Sequence, residues 1–206
     1  MADEKLSLRF RNRSGAQYDF LCFQHGVSPN TPSIATLAWL VRPLASGVDL
    51  DFTWTTNCCF VWFEQGAVTP DITFKAQQSA PADPISANLV TLTSSNGAYQ
   101  FGPTTGGGAA GVLTIDCDGT IPSGTVMIGI GMSGLGTHAV AAEPNFAAVF
   151  TVKPEYWISF GSFTPGQTLD DQALIKATPL AFPPNVTAMT ATLDVANKWI
   201  LQPGLI

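Results

Sequence analysis

Apolar and polar residues alternate with a period of two in short runs along most of this chain, and clusters of Gly, Pro, Ser and Asn separate the runs. That period puts successive side chains on opposite faces of an extended segment, so each run predicts a β-strand. The clearest case is 48–55, where Val48, Leu50, Phe52 and Trp54 face one way and Asp49, Asp51, Thr53 and Thr55 the other. Residues 57–64 are almost continuously apolar, with C-C-F-V-W-F at their centre, which suits a central strand covered on both faces. Residues 124–140 read G-T-V-M-I-G-I-G-M-S-G-L-G-T-H-A-V, and Val126, Ile128, Ile130 and Met132 alternate there with Met127, Gly129 and Gly131. The spacing predicts a strand over 126–132 whose glycines leave a bare strip on one face. An aromatic ring is expected to lie on that strip, with Trp39, Trp54, Trp62 and Trp157 as the candidates.

The other runs complete an all-β chain. Residues 5–12 and 17–25 read as a hairpin about Arg13, Ser14, Gly15 and Ala16, with the second arm apolar on both faces. A loop over 26–33, with Pro29 and Pro32, leads to a strand over 34–42 that Pro43 ends. Gln65, Gly66 and Pro70 bracket a turn before a strand over 71–78, and 79–87, with Pro81 and Pro84, reads as a loop. Asn96-Gly97 is a hairpin signal between strands over 88–94 and 98–101. Further strands are predicted over 111–117, 137–143, 146–153, 155–160, 173–182, 186–193 and 198–202, with Pro154 before the fourth of these and a turn at Thr164-Pro165-Gly166. That makes about fifteen short strands with a turn roughly every eight to twelve residues. The only helix candidates are short, 170–177 and 35–41. The expected architecture is a single-domain antiparallel β-sandwich over 1–206, jelly-roll or immunoglobulin-like, with a closed barrel as the alternative and little or no helix.

Composition then narrows the classes of function. Only 12% of residues are charged while 46% are hydrophobic, which excludes disorder and leaves Ser, Thr, Asn and Gln to solvate the surface. A net charge of −6 argues against nucleic acid as a partner. The one basic cluster, Arg9, Arg11 and Arg13, shares a strand face opposite Leu6, Leu8 and Phe10 and reads as a solvated outer face rather than an anion clamp. No apolar run has the length of a membrane span, and none near Met1 resembles a secretory signal. The expected location is the cytoplasm, or the outside by export without a visible signal peptide. Cys22, Cys58, Cys59 and Cys117 match no metal or redox spacing and read as reduced thiols packed as small apolar groups. A positive mean hydropathy suggests an apolar surface covered by a copy of the same chain, so a homo-oligomer is expected.

Candidate chemistry is sparse. Gly129, Gly131 and Gly134 spell G-x-G-x-x-G, but a dinucleotide site needs a helix directly afterwards. Here L-G-T-H-A-V-A-A-E-P follows and no βαβ rhythm exists elsewhere, so no nucleotide cofactor is expected. Gly131-Met132-Ser133-Gly134-Leu135 also lacks the last glycine of a nucleophile elbow. The glycine-rich run 103–111 reads as a mobile surface loop rather than a phosphate cradle, because neither Lys-Ser/Thr nor a helix follows it. The carboxylate pairs Asp49/Asp51, Asp116/Asp118 and Asp170/Asp171 read as solvent-facing or turn-holding, and Asp116-Cys117-Asp118-Gly119 lacks the distal Glu of a calcium loop. Cys22 with His138 as a nucleophile pair has no local signature. No metal site is expected. His25 and His138 sit at strand ends, and adjacent Tyr156 and Trp157 face opposite sides, so one of them is expected at a surface or interface. His25, His138, Tyr156 and Trp157 are therefore the candidate ligand-binding residues.

Five segments carry a family resemblance: Asn12-Arg13-Ser14-Gly15, Leu37-Ala38-Trp39, Phe52-Thr53-Trp54 with Phe60-Val61-Trp62, V-M-I-G-I-G-M-S-G over 126–134, and P-E-Y-W-I-S-F-G over 154–161. Together they resemble small bacterial proteins of the rhizosphere-induced protein type. The resemblance implies a microbial, environment- or host-associated protein and carries no catalytic residue over. The expectation is a non-enzymatic sandwich that acts by binding or self-association. The alternatives are an enzyme or small-molecule-binding barrel with a pocket between its sheets, and a lectin-like or membrane-surface module using Tyr156 or Trp157. The ligand expected is a small apolar molecule or a glycan.

Overall fold

A computed structural model describes residues 4–25, 34–64, 73–153 and 155–206. Strands β1 (Lys5–Asn12), β2 (Tyr18–Gln24), β3 (Ala35–Thr36), β4 (Leu40–Leu44), β5 (Asp49–Thr55) and β6 (Cys58–Phe63) come first. They are followed by β7 (Gln78–Ala82), β8 (Leu89–Ser95), β9 (Ala98–Phe101), β10 (Val112–Cys117), β11 (Met127–Met132), β12 (Leu135–Ala141) and β13 (Phe146–Thr151). The chain ends with β14 (Tyr156–Gly161), helix α1 (Asp171–Ile175), β15 (Thr178–Leu180), β16 (Ala188–Leu193) and β17 (Trp199–Pro203).

These strands form four open sheets, which removes the closed barrel. Sheet β17-β16-β1-β5 shares one core with sheet β15-β14-β2-β4, built on Phe10, Phe20, Phe52, Trp54 and Tyr156. Sheet β13-β10-β8-β9 shares a second with β3-β12-β11-β6-β7, built on Phe60, Leu92, Ile115, Ile128 and Phe150. The second pair of sheets draws on β3 and on β6 to β13, so it interrupts the first pair in the sequence. Pairing is antiparallel except for β1 with β16 and β8 with β10.

Strand β11 binds these layers together. All six of its residues are buried. Ile128 and Ile130 enter the second core, Met132 enters the first, and Met127 joins a third cluster with Leu37, Val61 and Phe63 on the back of the five-stranded sheet. Ser133 (φ 53°) and Gly134 (φ 76°) make the primed two-residue turn into β12. A bulge then shifts the register: Ile130 pairs with His138 but Gly131 with Gly136, leaving Thr137 as the extra residue. The glycines answer to that bulge, not to an aromatic ring. A Cβ on Gly129 would run into the carbonyl oxygen of His138, and one on Gly131 into that of Leu135. The aromatic contact lies one strand away, where a Cβ on Gly136 would sit 2.8 Å from Cζ of Phe63.

Several other expectations need correction. β1 and β2 do not form a hairpin; they belong to different sheets, and residues 13–17 arch across the sandwich. The arch is fixed by Asn12, whose amide donates to the carbonyls of Ala16 and Leu44, both at 2.8 Å, while its oxygen accepts from the Ser14 amide and hydroxyl. The β4–β5 link is a second arch stacked on the first, with Gly15 N–H donating to Ser46 Oγ at 3.1 Å. The strand expected over 34–42 is split between two sandwiches by buried Leu37, Ala38 and Trp39. Pro43 and Pro81 lie inside strands, not at their ends, because β4 and β7 are sheet edges where a missing N–H is tolerated. Residues 73–77 hold no regular strand, and Val48 is 47% exposed. The strand expected over 173–182 is instead α1 followed by β15, with Asp170 capping the helix by accepting from Ala173 N–H at 2.7 Å. The helix candidate at 35–41 does not form. The expected loop over 26–33, the turn at Gln65, Gly66 and Pro70, the first two positions of the strand over 71–78, and Pro154 lie outside the described residues.

Candidate ligand-binding site

Where the first sandwich ends, the start of β14 faces the start of β1, and 181–186 cross from one sheet to the other. A cavity of about 600 Å³ lies between them. Its apolar wall is made by Leu6, Tyr156, Trp157, Leu180, Phe182 and Val186, stiffened by Pro179, Pro183 and Pro184. Thr56 and Asn185 add polar groups, and Glu4 and Glu155 add two exposed carboxylates. The wall is rigid because its rings interlock with the core behind it. Tyr156 packs on Trp54 at 5.2 Å and on Phe182 at 5.9 Å between ring centroids, and its hydroxyl donates to Met132 Sδ at 3.4 Å. Burial, above all, pushes the Tyr156 phenol up to about 12, so it stays a neutral donor.

The candidate residues divide between this cavity and its neighbourhood. Tyr156 and Trp157 both line it, Tyr156 buried and Trp157 half-buried. His25 does not line it but packs against the Trp157 ring, 5.4 Å between centroids at 72°. His138, which lies inside β12 and not at the strand end expected for it, is set apart in a chamber of about 30 Å³ shared with Gln24, Cys58 and Met132, large enough for one water-sized guest. Thr137 donates its hydroxyl proton to the Ile130 carbonyl at 3.2 Å, so its oxygen accepts from His138 Nδ1–H at 3.0 Å. That fixes the tautomer and leaves His138 Nε2 a buried acceptor without a partner among the described residues. Burial first, and His25 second, lower the His138 imidazole to about 4.

The other candidate groups are taken up structurally. Asp51 accepts two bonds from Arg9 at 2.8 and 2.9 Å, and Asp49 pairs with Arg11 and Arg13, so the basic cluster is the charged outer face of its sheet. Asp118 holds a turn by accepting from Thr120 N–H at 2.8 Å. The glycine-rich run expected to be mobile is held at buried Asn88, which accepts from the amides of Gly107 and Gly108 and donates to Ala109 O at 3.0 Å. The four cysteines form no disulfide. Burial raises the thiols of Cys22, Cys59 and Cys117, which keeps them un-ionised and poor nucleophiles. Among the described residues no three His, Cys, Asp or Glu side chains gather as metal ligands, and no helix is long and apolar enough to cross a membrane. Sequence reasoning missed Glu4, Phe182, Pro183 and Pro184. The available signal was an aromatic set beside a double proline, which marks a stiff apolar loop.

A model of the RhiA family matches residues 3–204. Protein RhiA of Rhizobium leguminosarum bv. viciae is 31% identical over 201 residues, covering 96% of this chain and 86% of that protein. No solved structure matches the chain.

Proposed function

The chain belongs to the RhiA family, and from that premise we propose that it is a non-enzymatic binding protein of a host- or environment-associated microbe, holding a small apolar ligand against Tyr156, Trp157 and Phe182. The cavity of about 600 Å³ carries this reading. It falls within the roughly 300–1,000 Å³ of small-molecule sites and joins an apolar wall to a few polar groups. The non-enzymatic part rests on the state of groups the sequence offered as chemistry: Asp49 and Asp51 are paired with arginines, Asp118 holds a turn, and the thiols of Cys22 and Cys117 are raised by burial. Calorimetric titration with a panel of eight- to twelve-atom apolar and aromatic compounds tests it. At least one should bind at micromolar to millimolar strength, and Trp157→Ala should weaken it about tenfold or more. Binding that survives Trp157→Ala in a folded variant would place the ligand elsewhere.

Self-association is the second reading, and one observation favours it. β17 is a sheet edge with Ile200 48% exposed, and Val195, Leu205 and Ile206 nearby are exposed as well. Such an edge can pair with the same strand of a second copy. Light scattering across micromolar concentrations should then report a dimer that Ile200→Lys dissolves. A monodisperse monomer at every concentration contradicts it.

A further inference from the structure

The ionised side chains that line the large cavity carry one sign, although Lys153 and His25 stand beside one of them. Glu4 and Glu155 line it, Tyr156 is kept neutral by burial, and no lysine, arginine or histidine joins them among the described residues. Glu155 is bonded at 2.9 Å by Lys153, whose own side chain is 79% exposed and stands outside the cavity. Glu4 has no ion-pair partner among the described residues. Glu4 is therefore the carboxylate left uncompensated, and it favours a positive guest in the mouth, in keeping with a chain of net charge −6.

The wall decides what kind of cation fits. A primary ammonium needs about three acceptors once it leaves water. Glu4, Glu155, Thr56 and Asn185 offer such acceptors only at isolated points, and the rest of the lining is aromatic and proline surface that offers none from its side chains. A quaternary ammonium has no N–H to satisfy, sheds water easily, and is held by the faces of Trp and Tyr rings. The cavity is also several times larger than such a head group needs, so most of it must be filled by hydrocarbon. We propose that the natural occupant is a quaternary ammonium carried on an apolar body, its head between Glu4 and Glu155 and its body along Trp157, Phe182 and Val186. This rests on the ligand-binding reading above and adds the chemical class.

Three probes with the same eight-carbon body separate the two claims: octyltrimethylammonium, 1-octanol and octanoate, each titrated calorimetrically into the full chain below micelle formation. Octyltrimethylammonium should bind about tenfold or more tightly than octanol, with octanoate weakest. Its affinity should exceed that of hexyltrimethylammonium by about fourfold per methylene. Glu4→Gln with Glu155→Gln should lower the cation-to-octanol ratio about threefold or more, leaving the part due to the rings, and both changes are at exposed positions that do not threaten folding. Octanol or octanoate binding as well as the cation would overturn the ligand class and leave the apolar pocket standing. A cation preference undiminished in the double variant would also overturn it. No binding by any probe would remove both claims.

Discussion

Every side-chain donor and acceptor of fully buried Asn12 is used, reaching Ser14, Ala16 and, thirty-two positions along, the Leu44 carbonyl. Asn12→Leu keeps the branched shape, at somewhat larger volume, but orphans those groups, and chemical denaturation should show a loss of about 3 kcal/mol. His138 makes the second prediction. Its imidazole titrates near 4 in the native state against 6.5 when unperturbed. Between those values only the unfolded chain binds the proton, so stability should fall as pH drops through this window, by about 1.4 kcal/mol per pH unit. Above about 6.5 and below about 4 this group should contribute no slope. Denaturation midpoints at pH 7, 5.5 and 4.5 measure the effect, and His138→Gln should remove it. The sequence placed His138 at a strand end. It could not show that Thr137 would be the bulge residue that turns the ring, because that follows from a carbonyl position set by the register of β11 and β12.

At the scale of elements, β11 was legible because its pattern has no polar position to send outward. The cause of its glycines was not legible, since bare backbone suits a ring or a bulged neighbour equally well in one dimension. Gly131→Ala would press a methyl into the Leu135 carbonyl and against Cys59 Sγ, 3.1 Å away, so it should cost about 3 kcal/mol or prevent folding. Gly134→Ala meets nothing within 4 Å and bears only the strain of a φ of 76°, about 1 kcal/mol. Equal losses for the two variants, read from thermal melts, would refute the bulge account. The arch at 13–17 shows the same limit. A turn between two apolar runs looks alike whether the runs pair with each other or lie in facing sheets, and here the deciding contact is Asn12 with a distant carbonyl.

For the molecule as a whole, the sequence announced an all-β sandwich through its repeated period of two, but the split into two sheet pairs depends on where the chain crosses at Leu37, Ala38 and Trp39. Because β11 enters all three hydrophobic clusters, we expect the sheet pairs to unfold as one cooperative unit; circular dichroism and tryptophan fluorescence should give coincident denaturation curves. The candidate site was half legible. Tyr156 and Trp157 stood out as adjacent aromatics that could not share one core, whereas Glu4 and Phe182 lie far apart in sequence and meet only where two sheets end. The most direct test of a ligand site there is to follow backbone amide resonances while octyltrimethylammonium is added. Shifts should concentrate at Leu6, Thr56, Tyr156, Trp157, Leu180 and Val186 and saturate together. Shifts spread over the surface, or centred on β17, would contradict the account.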